Sequence, residues 1–153
     1  MLNALTIDLE DWYQGLTSTG RQPERWPEYE DRVVESTSRV LGVLQRAGVQ
    51  ATFFVLGYVA DQFPDLVRSV AEAGHEIALH GYLHRQVFRL TPAEFQAEIE
   101  RGRDAVQAAA GRRPVGYRAP MFSINDSALW ALEMLRDMGF CYDMLRVGKT
   151  LES

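Results

Sequence analysis

A chain of 153 residues, 46% apolar and 24% charged, has the composition of a soluble globular protein and enough length for one buried core. Its net charge of −5, with no lysine or arginine block, excludes a basic nucleic-acid-binding surface. Cys141 stands alone, so no disulfide forms within the chain, and neither a basic leader nor an apolar run of about 18 residues is present; a cytoplasmic protein without a membrane span is the expectation.

The first apolar run, Leu2 to Ile7, ends in the acids Asp8, Glu10 and Asp11, followed by Trp12 and Tyr13. Charge at the end of a buried strand is costly unless something pairs with it, which marks this corner as part of a site. Residues 14 to 31 lack periodicity and hold Pro23 and Pro27, the pattern of a long loop. From Val33, apolar residues recur at helical spacing as far as Ala47, and Gly48 closes the helix. Ala51 to Leu56 is a continuous apolar run of strand length bounded by Gly57. Pro64 opens a second helix that Gly74 ends, and Ile77 to Leu79 forms a third strand.

That strand leads into His80-Gly81-Tyr82-Leu83-His84. Two imidazoles four positions apart share one face of a helical turn and can grip one metal ion. The spacing alone is weak, since a surface helix carries such a pair by chance. The chain, however, has only three histidines, and the third, His75, lies just before the same strand.

Thr91-Pro92-Ala93-Glu94 is a capping box with proline at the first helical position, and its helix runs through Phe95, Ile99 and Val106 to Gly111. Val115 to Tyr117 is a fourth strand ending at Arg118-Ala119-Pro120. Ser123 to Asp126 supply caps for a helix through Leu129, Trp130 and Leu135, and Phe140 to Tyr142 is a fifth strand with Asp143 at its end. Strand and helix alternate at a period of roughly thirty residues, as in βαβ units with parallel strands. Asp8, His80, Arg118 and Asp143 all stand just past the carboxyl end of a strand, where parallel α/β folds keep their active sites. The second strand is the exception, ending in Gly57 and Tyr58.

Taken together, these residues resemble the motifs of the polysaccharide deacetylase family, whose catalytic unit is the NodB homology domain of carbohydrate esterase family 4 type. Thr6-Ile7-Asp8-Leu9-Glu10-Asp11 is similar to the first motif, with the base and an acid ligand; here Leu9 separates acids that are usually adjacent. His80-Gly81-Tyr82-Leu83-His84 resembles the second motif, with Gly81 where serine or threonine is commoner. Gly116-Tyr117-Arg118-Ala119-Pro120 resembles the third, and Tyr142-Asp143 the start of the fourth. The forms D-x-E-D-W and G-Y-R-A-P are similar to a subgroup found with bacterial exopolysaccharide export and exosortase-type systems.

The resemblance implies an α/β fold, a parallel (β/α) barrel of this type, with residues 1–153 forming one domain cut short after about five strands. The family's fifth motif, a leucine-x-histidine that supplies the general acid, has no counterpart. The implied activity is metal-dependent hydrolysis of N-acetyl groups on an amino-sugar oligo- or polysaccharide. Asp8 is the expected base and Arg118 its orienting partner. His80, His84 and Glu10, with Asp11 as the rival acid, are the expected ligands of a divalent ion such as Zn²⁺ or Co²⁺. Tyr82, through its backbone N–H, is expected at the oxyanion, and Trp12, Tyr13, Pro120 and Asp143 around the substrate. The bland alternatives are a purely structural ion pair at Arg118, a helix cap at Asp143, and packing roles for Trp12, Trp26 and Trp130. Two rival functions stay open: a metal-independent allantoinase-like amidohydrolase, and an inactive fragment. An open sheet edge would also invite self-association.

Overall fold

The computed structural model of the chain describes residues 4–15 and 18–144; the beginning of the first apolar run and the closing segment from Gly148 to Ser153 lie outside the described residues. In order the elements are β1 (Thr6–Leu9), α1 (Val33–Ala47), β2 (Thr52–Val55), α2 (Gly57–Gln62), α3 (Pro64–Glu72), β3 (Glu76–Leu79), α4 (Pro92–Ala110), β4 (Gly116–Tyr117), α5 (Trp130–Asp137) and β5 (Tyr142–Asp143). Neighbouring strands are all parallel, and their order in the sheet is their order in the chain. A sheet that keeps one direction of growth has the topology of a (β/α) barrel, whereas a doubly wound sheet reverses. Among the described residues it does not close, and β1 and β5 are its edges.

Burial explains the strand sequences. In β2 and β3, Phe53, Phe54, Val55, Ala78 and Leu79 are all inaccessible to solvent, so both faces of the central strands are covered and the runs are apolar without alternation. The helices pack through Val67, Val70, Phe95, Ile99 and Val106 onto this layer. The capping box of α4 forms as the sequence suggests. Thr91 Oγ1 accepts from the Glu94 N–H, and Glu94 Oε2 accepts from the Thr91 N–H at 2.9 Å, contacts that stabilise the helix start by about 1 kcal/mol.

Several boundaries differ from the sequence reading. A short helix, α2, stands between β2 and α3 where the sequence reading named no element, and Phe63 breaks it so that Pro64 can open α3. The loop from residue 14 onward contains two 3₁₀ turns, Thr19–Arg21 and Pro23–Glu28, and fully buries Trp26. Asn125 caps a 3₁₀ turn, Asp126–Ala128, so that α5 begins only at Trp130.

The missing acid at the end of β2 has a structural explanation. Gly57 and Tyr58 donate their N–H groups to the carbonyls of Gly81 and Tyr82 at 2.8 and 3.1 Å, bracing the segment that carries both histidines. A Cβ on Gly57 would stand 2.6 Å from Tyr82 Cδ2 and 2.7 Å from Gly102 Cα, so only glycine admits this approach of α2, α4 and the histidine segment.

Candidate active site

His80 and His84 do not share a helical turn, as their spacing suggested. Residues 80–84 form an irregular segment after β3 in which Gly81 has φ 77° and His84 φ 55°. Glycine at 81 makes the first of these turns without strain. The rings meet all the same, with centroids 5.2 Å apart.

Side-chain contacts also hold this segment. His80 Nδ1 lies 2.8 Å from the Arg118 carbonyl oxygen, and because a carbonyl only accepts, Nδ1 carries the proton and Nε2 keeps its lone pair. Glu98 Oε1 accepts from the N–H groups of Tyr82 and Leu83 at 3.1 and 2.6 Å. The Tyr82 hydroxyl donates to Asp61 at 2.9 Å, while the Arg101 guanidinium lies 3.7 Å from its ring centre. The oxyanion role expected of the Tyr82 N–H is therefore not available: Glu98 already takes that donor.

From β1, extended backbone brings Asp8 and Glu10 to the same side. Glu10 Oε2 is 2.9 Å from His84 Nε2 and 4.0 Å from His80 Nε2, and Asp8 Oδ2 is 3.8 Å from His80 Nε2. Burial pushes the Glu10 carboxyl up, but the close approach of His84 and the nearby rings of both histidines outweigh it and hold the group below the usual carboxylate range. Burial pushes His80 down, favouring the neutral imidazole that a metal ion requires.

Glu10, His80 and His84 each offer one ligand atom, all within 4.8 Å of one another. Glu10 Oε2 is buried and, despite its short distance to His84, lacks a hydrogen bond of good geometry. An orphaned carboxylate oxygen between two imidazole nitrogens is the donor set of a three-residue metal centre with an open position, and the residues fit such an ion. The rival acid, Asp11, is not brought to the histidines. Its Oδ1 accepts from the Trp12 N–H at 2.8 Å, and its Oδ2 from the Arg32 and Val33 N–H groups at 2.8 and 2.9 Å, where it satisfies the exposed donors at the start of α1.

Arg118 joins the first strand to the fourth. Its Nη1 donates to Asp8 Oδ1 at 2.5 Å and its Nη2 to Thr6 Oγ1 at 2.6 Å, and the guanidinium lies 4.1 Å from the Phe54 ring centre. Asp8 thus has one oxygen fixed and the other facing His80. Asp143, at the end of β5, is largely buried, and neither carboxylate oxygen has a hydrogen bond of good geometry. Burial raises its pKa to about 7, against the pull of Arg118 and the Met144 N–H.

The aromatic pair divides. Trp12 is 47% exposed, with Nε1 donating to the Glu30 carbonyl at 3.0 Å, and remains open to a ligand. Tyr13 is 1% exposed, donates its hydroxyl to Asp31 and packs on Trp26 and Tyr29, so it is a core residue and not a substrate wall. Pro120 is buried against Gly81 and precedes Met121 and Phe122, at φ 57° and 50°. With His84 these are the non-glycine residues of positive φ among the described residues, and backbone strain of this kind gathers at functional sites. His75 lies at the opposite end of β3, where its Nδ1 accepts from the Ala51 N–H at 3.2 Å.

Thr6, Phe54 and Glu98 were not foreseen. Thr6 shares the Asp8 face by strand alternation, a relation that the sequence itself carries. Phe54 enters through the register that sets it opposite Asp8, and Glu98 is one of several acids on α4; neither carries a sequence signal.

Comparison with known proteins identifies the family. The family description "Polysaccharide deacetylase" matches residues 21–140, a stretch that begins after Asp8 and Glu10. A peptidoglycan deacetylase-like protein of Gibberella zeae is 35% identical over 107 residues, covering 69% of this chain and 31% of the relative. A peptidoglycan-N-acetylglucosamine deacetylase of Bacillus cereus is 34% identical over 101 residues, covering 65% of this chain and 37% of its own. A Mycobacterium smegmatis crystal structure, described as a candidate polysaccharide deacetylase, superposes with a TM-score of 0.75 at 35% identity over 92% of this chain and 49% of that one. The chain thus spans about a third to a half of the length of these relatives. No helix among the described residues is long and apolar enough to cross a membrane. Since the matched stretch covers most of the 153 residues and the remainder contributes Asp8 and Glu10 to the same site, the chain belongs to the polysaccharide deacetylase family.

Proposed function

We propose that this domain hydrolyses the acetamide of an N-acetylated amino sugar within an oligo- or polysaccharide, using a divalent ion held by Glu10, His80 and His84. The observation that carries this reading is the convergence of those three donors beside an aspartate with one oxygen held by an arginine and the other facing His80. Two imidazoles and one carboxylate suit zinc, and cobalt is accepted by the same donors. When bound, the ion polarises the acetyl carbonyl and acidifies a water molecule.

The protein groups do the rest. Asp8 takes the proton of the attacking water, and Arg118 with Thr6 keeps the carboxylate aimed. His80 is held in the Nδ1–H tautomer by the Arg118 carbonyl, so its Nε2 faces the centre. Trp12 offers an exposed ring for a sugar face. Asp143, protonated in part near neutral pH, is suited to exchanging a proton near the substrate. The likeness to the Bacillus cereus relative, a peptidoglycan-N-acetylglucosamine deacetylase, supports an amino-sugar polymer as the substrate class. The motif forms support a placement with exopolysaccharide export. A metal-independent amidohydrolase would leave the convergence of Glu10, His80 and His84 without a task.

The test is acetate release from an N-acetylglucosamine oligomer with and without added zinc or cobalt. Asp8→Asn is expected to lower release by roughly 10²- to 10⁴-fold with metal still bound. Loss of metal in that variant would make Asp8 a ligand. Release that persists without metal would favour the amidohydrolase reading, and metal binding with no release would favour an inactive domain.

A further inference from the structure

A cavity of about 390 Å³ opens beside the candidate metal centre, a volume within the range of small-molecule sites. Its wall includes Leu83 and His84 from the histidine segment, Arg85 and Arg89 just after it, Arg21 from the first long loop, and Met121. It reaches the centre on two sides. His84 is shared, and a Cβ on Gly15, also in the wall, would stand 3.8 Å from Glu10 Oε1.

The charge of this cavity opposes that of the chain. The sequence has 21 acids against 16 lysines and arginines, yet three arginines and no acid line the cavity. Arg85 is paired with Glu94 at 3.2 Å. Among the described residues Arg21 and Arg89 have no carboxylate within ion-pair distance, unlike Arg25, Arg32, Arg39, Arg68 and Arg136, and of the arginines without such a partner these two line this cavity. Amide hydrolysis makes no use of these guanidiniums. The acetamide is neutral, and the carboxylate that needs an arginine, Asp8, already has Arg118.

We propose that Arg21 and Arg89, flanked by Arg85, form a subsite for an anionic substituent, a carboxylate or a phosphate, on the sugar next to the one deacetylated. The substrate is then an acidic amino-sugar polymer and not a neutral one. Unpaired guanidiniums meet such groups through charge-assisted, often bidentate hydrogen bonds, while the hydroxyls of a neutral oligomer gain little from them. The assignment rests on the deacetylase reading for the position of the scissile sugar.

The experiment is calorimetric binding of four tetrasaccharides to the 153-residue chain: neutral chitotetraose, alternating N-acetylglucosamine and glucuronate, alternating N-acetylglucosamine and N-acetylmuramate, and a phosphorylated N-acetylglucosamine oligomer. At about 50 mM salt at least one anionic oligomer should bind roughly tenfold tighter than the neutral one, and the preference should shrink at about 0.5 M. The tightest arm identifies the source of the charge. Arg21→Gln/Arg89→Gln should bring the ratio close to one, and Arg89→Glu should lower it further; both residues are exposed, so melting curves should match wild type. Equal binding of neutral and anionic oligomers, a preference that survives the double variant, or binding of none of them overturns the proposal. Acetate release followed in parallel separates the two readings. Charge-selective binding without release keeps the subsite and removes the deacetylase, while release without selectivity does the reverse.

Discussion

The carbonyl oxygen of Arg118 accepts the Nδ1 proton of His80 at 2.8 Å while the guanidinium of the same residue holds Asp8 at 2.5 Å. One residue therefore orients both a metal-ligand candidate and the base candidate, the first through its main chain and the second through its side chain. Arg118→Ala should separate the two tasks. The rate of acetate release should drop by roughly 10²-fold as Asp8 loses its orientation, and metal affinity should change by less than about threefold because the carbonyl remains. Parallel kinetics and metal titration check this; a matching loss of metal would show that the side chain also supports the centre.

Asp11 has no place among the ligands and should behave as a helix anchor. Asp11→Ala leaves three backbone N–H groups without their acceptor, at the start of α1 and at Trp12. A loss of about 1–2 kcal/mol in thermal stability with unchanged metal affinity is expected. Loss of metal with unchanged stability would restore Asp11 as the ligand.

Glu98 should act through the histidine segment. Glu98→Ala frees the N–H groups of Tyr82 and Leu83, which should then exchange with solvent faster, and metal affinity should fall by roughly tenfold as His84 loses its fixed position. Unchanged exchange at both amides would show that Gly57 and Tyr58 brace the segment without help from α4.

Asp143 gives the pH dependence. Its pKa rises from 3.8 to about 7 on folding, so the folded state binds the proton more tightly than the unfolded chain. The corresponding stability is fully present below about pH 3.8, declines as pH rises to about 7, and is flat above. After allowance for partial exposure, the loss is about 1–2 kcal/mol. Asp143→Asn should remove this slope, so the difference between wild-type and variant stability curves should fall between those pH values. A difference curve that rises with pH would mean that Asp143 is ionised and paired in the native protein.

Much of this was legible in the residues. Apolar runs broken at regular intervals by glycine and proline specify the βαβ units, since a strand buried on both faces and a helix buried on one leave different patterns. Asp8, His80 and Arg118 stood out because charge at a strand end needs a reason, and Asp8 and Glu10 could be set on one face by alternation alone. Other features were not legible. Whether Asp11 turned toward the histidines or toward the start of α1 depended on where that helix lay, and the fate of Tyr13 depended on the long loop folding back to bury Trp26 beside it. The loss of the Tyr82 N–H to Glu98 required the close packing of α4 that Gly57 and Gly102 allow.

The most direct test of the account is zinc titration by calorimetry on wild type, Glu10→Gln and His84→Ala, with folding checked by melting curves. One ion should bind the wild type, and each variant should lose at least about a hundredfold in affinity while remaining folded. Equal affinity in all three proteins, or no binding to the folded wild type, would contradict the Glu10–His80–His84 centre on which the reading of this domain depends.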